Sequence, residues 1–321
     1  MTRFKQRNGK GPRRTLWKLA AGAALGVALV FGVAPSGSQK AVAAACENPD
    51  VLTFSIIPTE ETIQELTLYK PVIDYLSKMT GKKVEFYMPT SYASVIEAML
   101  GGWVDVAVLG PYSYVIGNAK DSNIEVFATY AKRPGHLQEE GPGYKAALVT
   151  RKGSKFTSID SLKGTVIGLT DPASTSGNLV PRVVFTKKIH SPLEKYFKKI
   201  VYTGGHDLST MAVFDGKVDA AFVATHRFDN VVDRGMVKMG DFNVLWSSPA
   251  IPQDPFAYRM TLCEDLRKNI AKTFLTLHTQ PATKKFLDNV KSNKFVKMTS
   301  ADYDVIRALK KAKDARKKKK K

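Results

Sequence analysis

Two hydrophobic rhythms alternate along the chain. VLTFSII at 51–57 is apolar and β-rich; Leu68, Val72, Ile73 and Leu76 then recur at helical spacing up to Gly81, and KVEFYM at 83–88 reads as a second strand. YASVIEAMLGG at 92–102 predicts a short helix closed by glycine, and VDVAVLG at 104–110 a buried strand. The second half repeats the grammar. TVIGLT (165–170), IVYTGG (200–205) and VDAAFVA (218–224) read as strands, with helices predicted after Ser176, in DLSTMAVFDG (207–216) and in HRFDNVVDRG (226–235). Strands alternating with helices predict an α/β protein built on parallel, doubly wound sheets.

The halves also resemble each other. AMLGGWVDVAVLG (98–110) laid over AVFDGKVDAAFVA (212–224) gives five identities in thirteen positions, including a Gly-x-Val-Asp junction at Gly102 and Asp105 and again at Gly216 and Asp219. Each glycine suits the left-handed end of a helix, and each Val-Asp opens the next strand. Two lobes follow, 46–147 and 148–246, with crossings near 144–151 and 246–254; residues 247–309 return to the first lobe, and 310–321 form a basic tail. Ligands of open parallel sheets lie outside the carboxyl ends of the strands. That places Thr59, Gly110 to Tyr112, the 171–176 segment, Gly204 to His206, Thr225 and His226 at the cleft between the lobes.

Charge changes the picture less than its total suggests. The eight lysines and arginines of 1–45 and the nine of 310–321, set against Asp314, account for +16 of the net +20, which leaves +4 for the body. Residues 1–45 read as an export leader removed near 43–45: a basic start, the apolar run LAAGAALGVALVFGV, then small residues. RRTLWK within it resembles a twin-arginine signal, with an ordinary secretory signal as the alternative. Cys46 and Cys263 are the only cysteines. In an oxidising periplasmic compartment they read most simply as one disulfide, a lipidated Cys46 being the other reading. The lysine-rich tail reads as solvated and disordered, or as a contact for anionic lipid. It lacks interleaved aromatics, so nucleic acid is not an expected partner. No metal-ligand spacing and no cofactor motif is present.

The chemistry concentrates in DPASTSGNLVP (171–181). A helix start exposes backbone N–H groups and attracts anions. Ser174, Thr175 and Ser176 add three hydroxyl donors, and Gly177 lets the backbone come close. Such a cradle suits a tetrahedral oxyanion, whereas a simple cap needs only one hydroxyl. His206 begins another predicted helix after a strand and would donate to the same anion, adding positive charge when protonated. Tyr92 and Tyr144 offer phenol donors and an aromatic wall, or plain packing.

Taken together, SIIPTEE, YASVIEAMLGGWVDVAVLGPYSY, GPGYKAALV, DPASTSGNLVP, GGHD and WSSPAIPQDP resemble the phosphonate-binding family of periplasmic substrate-binding proteins, in order and over essentially the whole mature chain. The resemblance implies a two-lobe, type II binding fold, each lobe a mixed sheet flanked by helices, that closes on its ligand and delivers it to an inner-membrane ABC importer. It implies that Tyr92, Ser174, Thr175, Ser176 and His206 hold the oxygens and that Tyr144 lines the pocket. One departure bears on the ligand: His226 stands where aminoalkylphosphonate binders carry an acid, while Asp254 keeps the other. That favours phosphite or methylphosphonate over 2-aminoethylphosphonate, with Tyr112, Tyr92 and Tyr144 as the wall against a fourth oxygen. A monomer is expected, and a sensory role beside a membrane kinase is the alternative use of the same cleft. A hydrolase built on Ser174, His206 and Asp254 is disfavoured, because no Gly-x-Ser-x-Gly elbow is present.

Overall fold

In the computed structural model, residues 46–58 and 62–318 are described. The leader, Thr59 and the last three lysines lie outside the described residues. Thirteen strands form among them: β1 (Val51–Ile56), β2 (Lys83–Tyr87), β3 (Val106–Val108), β4 (Ile124–Lys132), β5 (Gly143–Tyr144), β6 (Ala146–Arg151), β7 (Val166–Leu169), β8 (Lys199–Tyr202), β9 (Ala220–Ala224), β10 (Phe242–Ser247), β11 (Ile251–Pro252), β12 (Pro255–Arg259) and β13 (Ser292–Lys297). They build a first sheet in the order β13-β4-β12-β3-β1-β2 and a second in the order β10-β6-β9-β7-β8.

The two sheets share one pattern. A parallel trio, β2-β1-β3 in the first and β8-β7-β9 in the second, continues into two antiparallel strands, β12-β4 and β6-β10. Every residue of β3 and β9 is buried, as expected for strands covered on both faces. The repeated junction is the same turn twice. Gly102 and Gly216 have φ of 74° and 72°, and the next two N–H groups return to the Ala98 carbonyl in one case and to the Ala212 carbonyl in the other. Asp105 Oδ2 then accepts the Thr53 N–H at 2.9 Å, and Asp219 Oδ2 the Val166 N–H at 2.8 Å. Each aspartate thus fastens the neighbouring parallel strand of its own sheet.

The sheets are joined by two crossings whose middles pair as the antiparallel ribbon β5·β11. The first crossing ends earlier than 144–151, because Ala146–Arg151 already pairs with β9 and β10 in the second sheet. After β12 the chain stays with the first lobe. There Cys263, at the start of the helix Glu264–Leu275, is bonded to Cys46, and Glu47 bridges Leu262 beside the bond. The disulfide ties together residues 217 apart. Its removal in Cys263→Ser is expected to cost about 2–5 kcal/mol, read as a lower denaturant midpoint that excess reductant reproduces in the parent protein; equal midpoints would contradict it.

The basic tail departs from expectation. Lys310 to Lys318 is not disordered but completes the helix Asp304–Lys318. Lys310 pairs with Asp314 one turn on, Lys313 Nζ donates to the Tyr112 hydroxyl at 3.1 Å, and Arg316 Nη1 donates to the Arg182 carbonyl and the Thr186 hydroxyl at 2.9 and 2.7 Å. These partners on both lobes give the lysine-rich turns a surface to lie on.

Candidate functional site

Each hydroxyl of the 174–176 cluster already serves as an acceptor. Ser174 Oγ caps its helix by accepting the Gly177 N–H at 3.1 Å. Thr175 Oγ1 accepts the Tyr112 N–H from the other lobe at 2.8 Å. Ser176 Oγ lies 3.3 Å from His206 Nε2. A hydroxyl whose oxygen receives a donor keeps its own hydrogen to give. The helix that follows is wound in wide turns over Thr175–Leu179 and Pro181–Phe185. Pro181 has no N–H to offer the Gly177 carbonyl, which accepts from Thr170 instead, and the ladder slips to the wider spacing. Gly177 is required for a reason other than ligand approach: a Cβ there would stand 2.1 Å from Thr170 Oγ1.

That same Thr170 helps set the state of His206. The ring Nδ1 accepts the Ala224 backbone N–H at 3.1 Å and lies 3.0 Å from Thr170 Oγ1. A backbone N–H can only donate, so Nδ1 carries no proton and Nε2–H points to Ser176. Burial, then the neighbouring His226 and Arg227, lower the ring to about 3. His206 is therefore a neutral donor, as one of its two expected states, because protonating it would break the bond from Ala224 and bury a charge.

Facing this cradle is a second group of polar side chains. The Tyr92 hydroxyl and His226 Nδ1 are buried with no hydrogen-bond partner. Tyr144 stands edge-on to His226, ring centroids 4.8 Å apart, with its phenol facing Thr175 and Ser176. Burial keeps both phenols protonated. Arg227 Nη2 holds Asp254 Oδ2 at 3.0 Å, both side chains almost wholly buried, and His226 Nε2 lies 3.5 Å from the same oxygen. Burial opposes the Asp254 charge, but His226 and Arg227 outweigh it and hold the carboxyl at about 2. His226 is itself lowered to about 3, first by burial and then by Arg227 and Lys132 against the pull of Asp254.

Between the two groups lies a cavity of about 10 Å³, measured as room for the centre of a water molecule, lined by Ile57, Gly110, Tyr92, Tyr144, Ser174, Thr175, His206, Ala224, His226, Arg227 and Asp254. Nearly all follow the carboxyl ends of the two parallel trios. The lobes are closed over it: besides the Tyr112 to Thr175 bond, Ser113 Oγ donates to the Ala173 carbonyl at 3.0 Å and the Tyr92 N–H bonds the Asp171 carboxylate. Ser176 is not among the lining residues; it lies against His206, which is. Tyr112 does not form a wall of the cavity; its backbone closes the lobes while its ring lies 4.9 Å from Lys313 Nζ. Ile57, Ala224 and Arg227 escaped the sequence reading. Arg227 had one signal, since a carboxylate at a buried cleft demands a cation nearby.

Ser174, His206 and Asp254 do not form a relay, because Ser174 is a cap, His206 Nδ1 takes a backbone proton donor and Asp254 belongs to Arg227. Among the described residues no group of three or more His, Cys, Asp or Glu is arranged to hold a metal ion.

Comparison with known proteins agrees with this layout. The chain is 29% identical over 311 residues to the phosphate-import protein PhnD of Mycolicibacterium smegmatis, covering 90% of this chain and 94% of that one. It is 32% identical over 250 residues to the phosphonates-binding periplasmic protein of Escherichia coli, covering 76% and 71%. A binding-protein component of an ABC phosphonate transporter from Pseudomonas aeruginosa has the same fold, with a TM-score of 0.75 at 27% identity over 83% of this chain and 87% of that one. PhnD1 of Prochlorococcus marinus, solved in complex with methylphosphonate, shares the fold with a TM-score of 0.72 at 21% identity, over 82% and 97%. Residues 54–303 match the model of the ABC transporter, phosphonate, periplasmic substrate-binding protein family. The chain belongs to that family: it is a two-lobe periplasmic substrate-binding protein of an ABC transporter and not an enzyme.

Proposed function

We propose that this protein captures a compact phosphorus oxyanion, with phosphite and methylphosphonate preferred, and hands it to an inner-membrane permease when its lobes part. The observation that carries the reading is the surplus of unspent donors around one small cavity. Ser174 keeps a hydrogen to give, Thr175 and Ser176 keep hydrogens that only the Tyr144 phenol faces, and Tyr92 has a buried hydroxyl with no partner. Only an acceptor-rich ligand satisfies them together, since a buried donor left unpaired costs about 1–3 kcal/mol. Ile57 and Ala224 in the lining offer an apolar surface to a hydrogen or methyl on phosphorus, where the fourth oxygen of phosphate would find no donor. The leader at 1–45 supports export, with processing near 43–45.

Calorimetry of the mature protein against phosphite, methylphosphonate and phosphate tests this; phosphate is included because it is the named cargo of the Mycolicibacterium smegmatis relative. Tyr92→Phe separates a ligand donor from a packing residue. It deletes a hydroxyl that has no partner in the protein, so stability should hold or rise while affinity falls about tenfold or more. Unchanged affinity would remove Tyr92 from the site, and no binding of any of the three anions would overturn the proposal.

A further inference from the structure

We infer that Arg227 decides which phosphorus oxyanions enter: it occupies the cavity's carboxylate and thereby excludes ligands that carry a cationic arm. This rests on the oxyanion reading above and adds the residue that sets the ligand class. Asp254 is the one carboxylate among the residues that line the cavity. In a binding protein for a zwitterion such a group, buried and facing the anion cradle, would hold the ammonium end. Here one of its oxygens is already engaged. Arg227 Nη2 meets Asp254 Oδ2 at 3.0 Å with both side chains buried, and the backbone of Asp254 is fixed as well: its carbonyl accepts from Thr129 and its N–H donates to the Gln253 side chain.

The charges then sum against an ammonium. Asp254 and Arg227 cancel, and His206 and His226 are neutral, so the cavity wall has no net negative charge to offer. An arm reaching toward Asp254 would lie beside the guanidinium that shares its carboxylate, and a buried like charge without a partner of its own is strongly disfavoured. For an oxyanion the same arrangement is favourable, because Arg227 neutralises the carboxylate that would otherwise repel it.

The test compares ligands with one headgroup. Methylphosphonate, propylphosphonate and 2-aminoethylphosphonate differ only in the arm, and propylphosphonate matches the last of these in size without its charge. Wild-type protein should bind methylphosphonate at least 100-fold more tightly than 2-aminoethylphosphonate, and propylphosphonate at least tenfold more tightly than 2-aminoethylphosphonate. In Arg227→Gln the methylphosphonate preference over 2-aminoethylphosphonate should shrink at least tenfold, because Asp254 is released, even though affinities for both fall. Arg227→Lys keeps the ion pair and should keep the discrimination, so the inference stays testable if the glutamine variant does not fold. Wild-type protein that takes 2-aminoethylphosphonate as well as propylphosphonate overturns the role of Arg227 and leaves the oxyanion reading standing. So does a folded Arg227→Gln with an unchanged ratio. Wild-type protein that binds none of the three, nor phosphite, overturns the oxyanion reading itself.

Discussion

Asp254→Ala is expected to cost about 3–5 kcal/mol of stability, because it strands a buried guanidinium. Arg227 is 9% exposed and Asp254 4%, and the pair reaches from the helix Thr225–Asp233 of the second lobe to the segment before β12 in the first. The stranded charge has one escape short of unfolding. Parting the lobes would return Arg227 to water, so the variant should show a lower melting temperature and a larger scattering radius together. Replacing the pair by apolar residues, Arg227→Met with Asp254→Leu, should recover most of the stability, since two well-packed hydrophobes escape the desolvation cost. A single variant within about 0.5 kcal/mol of the parent would mean that water already reaches the pair.

Acid should open the cleft of the ligand-free protein. His206 and His226 are each held at about 3 in the closed state, against about 6.5 when exposed. A lowered value means that the closed form prefers the neutral rings and binds fewer protons. The stability this gives is whole above pH 6.5 and is lost progressively as pH falls toward 3, with a slope for opening of about one proton, about 1.4 kcal/mol per pH unit, from His226. Asp254 acts lower down. Its value of about 2 supports the closed state above about 3.8 and fails between there and 2. His206 is faced by His226, Arg227 and Asp254, and His226 also by Lys132; only Asp254 favours a proton on either ring. Opening the lobes parts His226 from Asp254 and exposes its ring without unfolding either sheet, while His206 keeps its bond from Ala224 inside the second lobe, so the scattering radius should grow below pH 6.5 while the secondary structure persists. A radius constant down to pH 4 would show that the rings are wetter than their burial implies.

Much of this protein could be read in order along the chain. Strand-helix alternation requires only local periodicity, and it named the parallel trio of each lobe. The glycine-aspartate junctions were legible because a left-handed turn and a strand-opening carboxylate are local devices, and they recur at Gly102 with Asp105 and at Gly216 with Asp219. The hydroxyl cluster and His206 stood out for the same reason, each at the start of a helix after a strand. The lysine-rich turns misled, because like charges predict disorder until partners such as Tyr112, Arg182 and Thr186 are brought to them from elsewhere.

By itself, then, the sequence determined the fold class, the two lobes, the strand ends that border the cavity and the hydroxyls gathered beside it, all of which follow from short-range pattern. Tertiary structure decided the rest. That His206 is neutral depends on an N–H from Ala224, eighteen residues away; that Gly177 must be glycine depends on Thr170; that Tyr112 closes the lobes depends on Thr175. Whether Asp254 is free or taken depends on Arg227, across the cleft. Protonation and pairing are set by whatever is packed nearby, and in this protein the decisive neighbours arrive from other strands and from the opposite lobe.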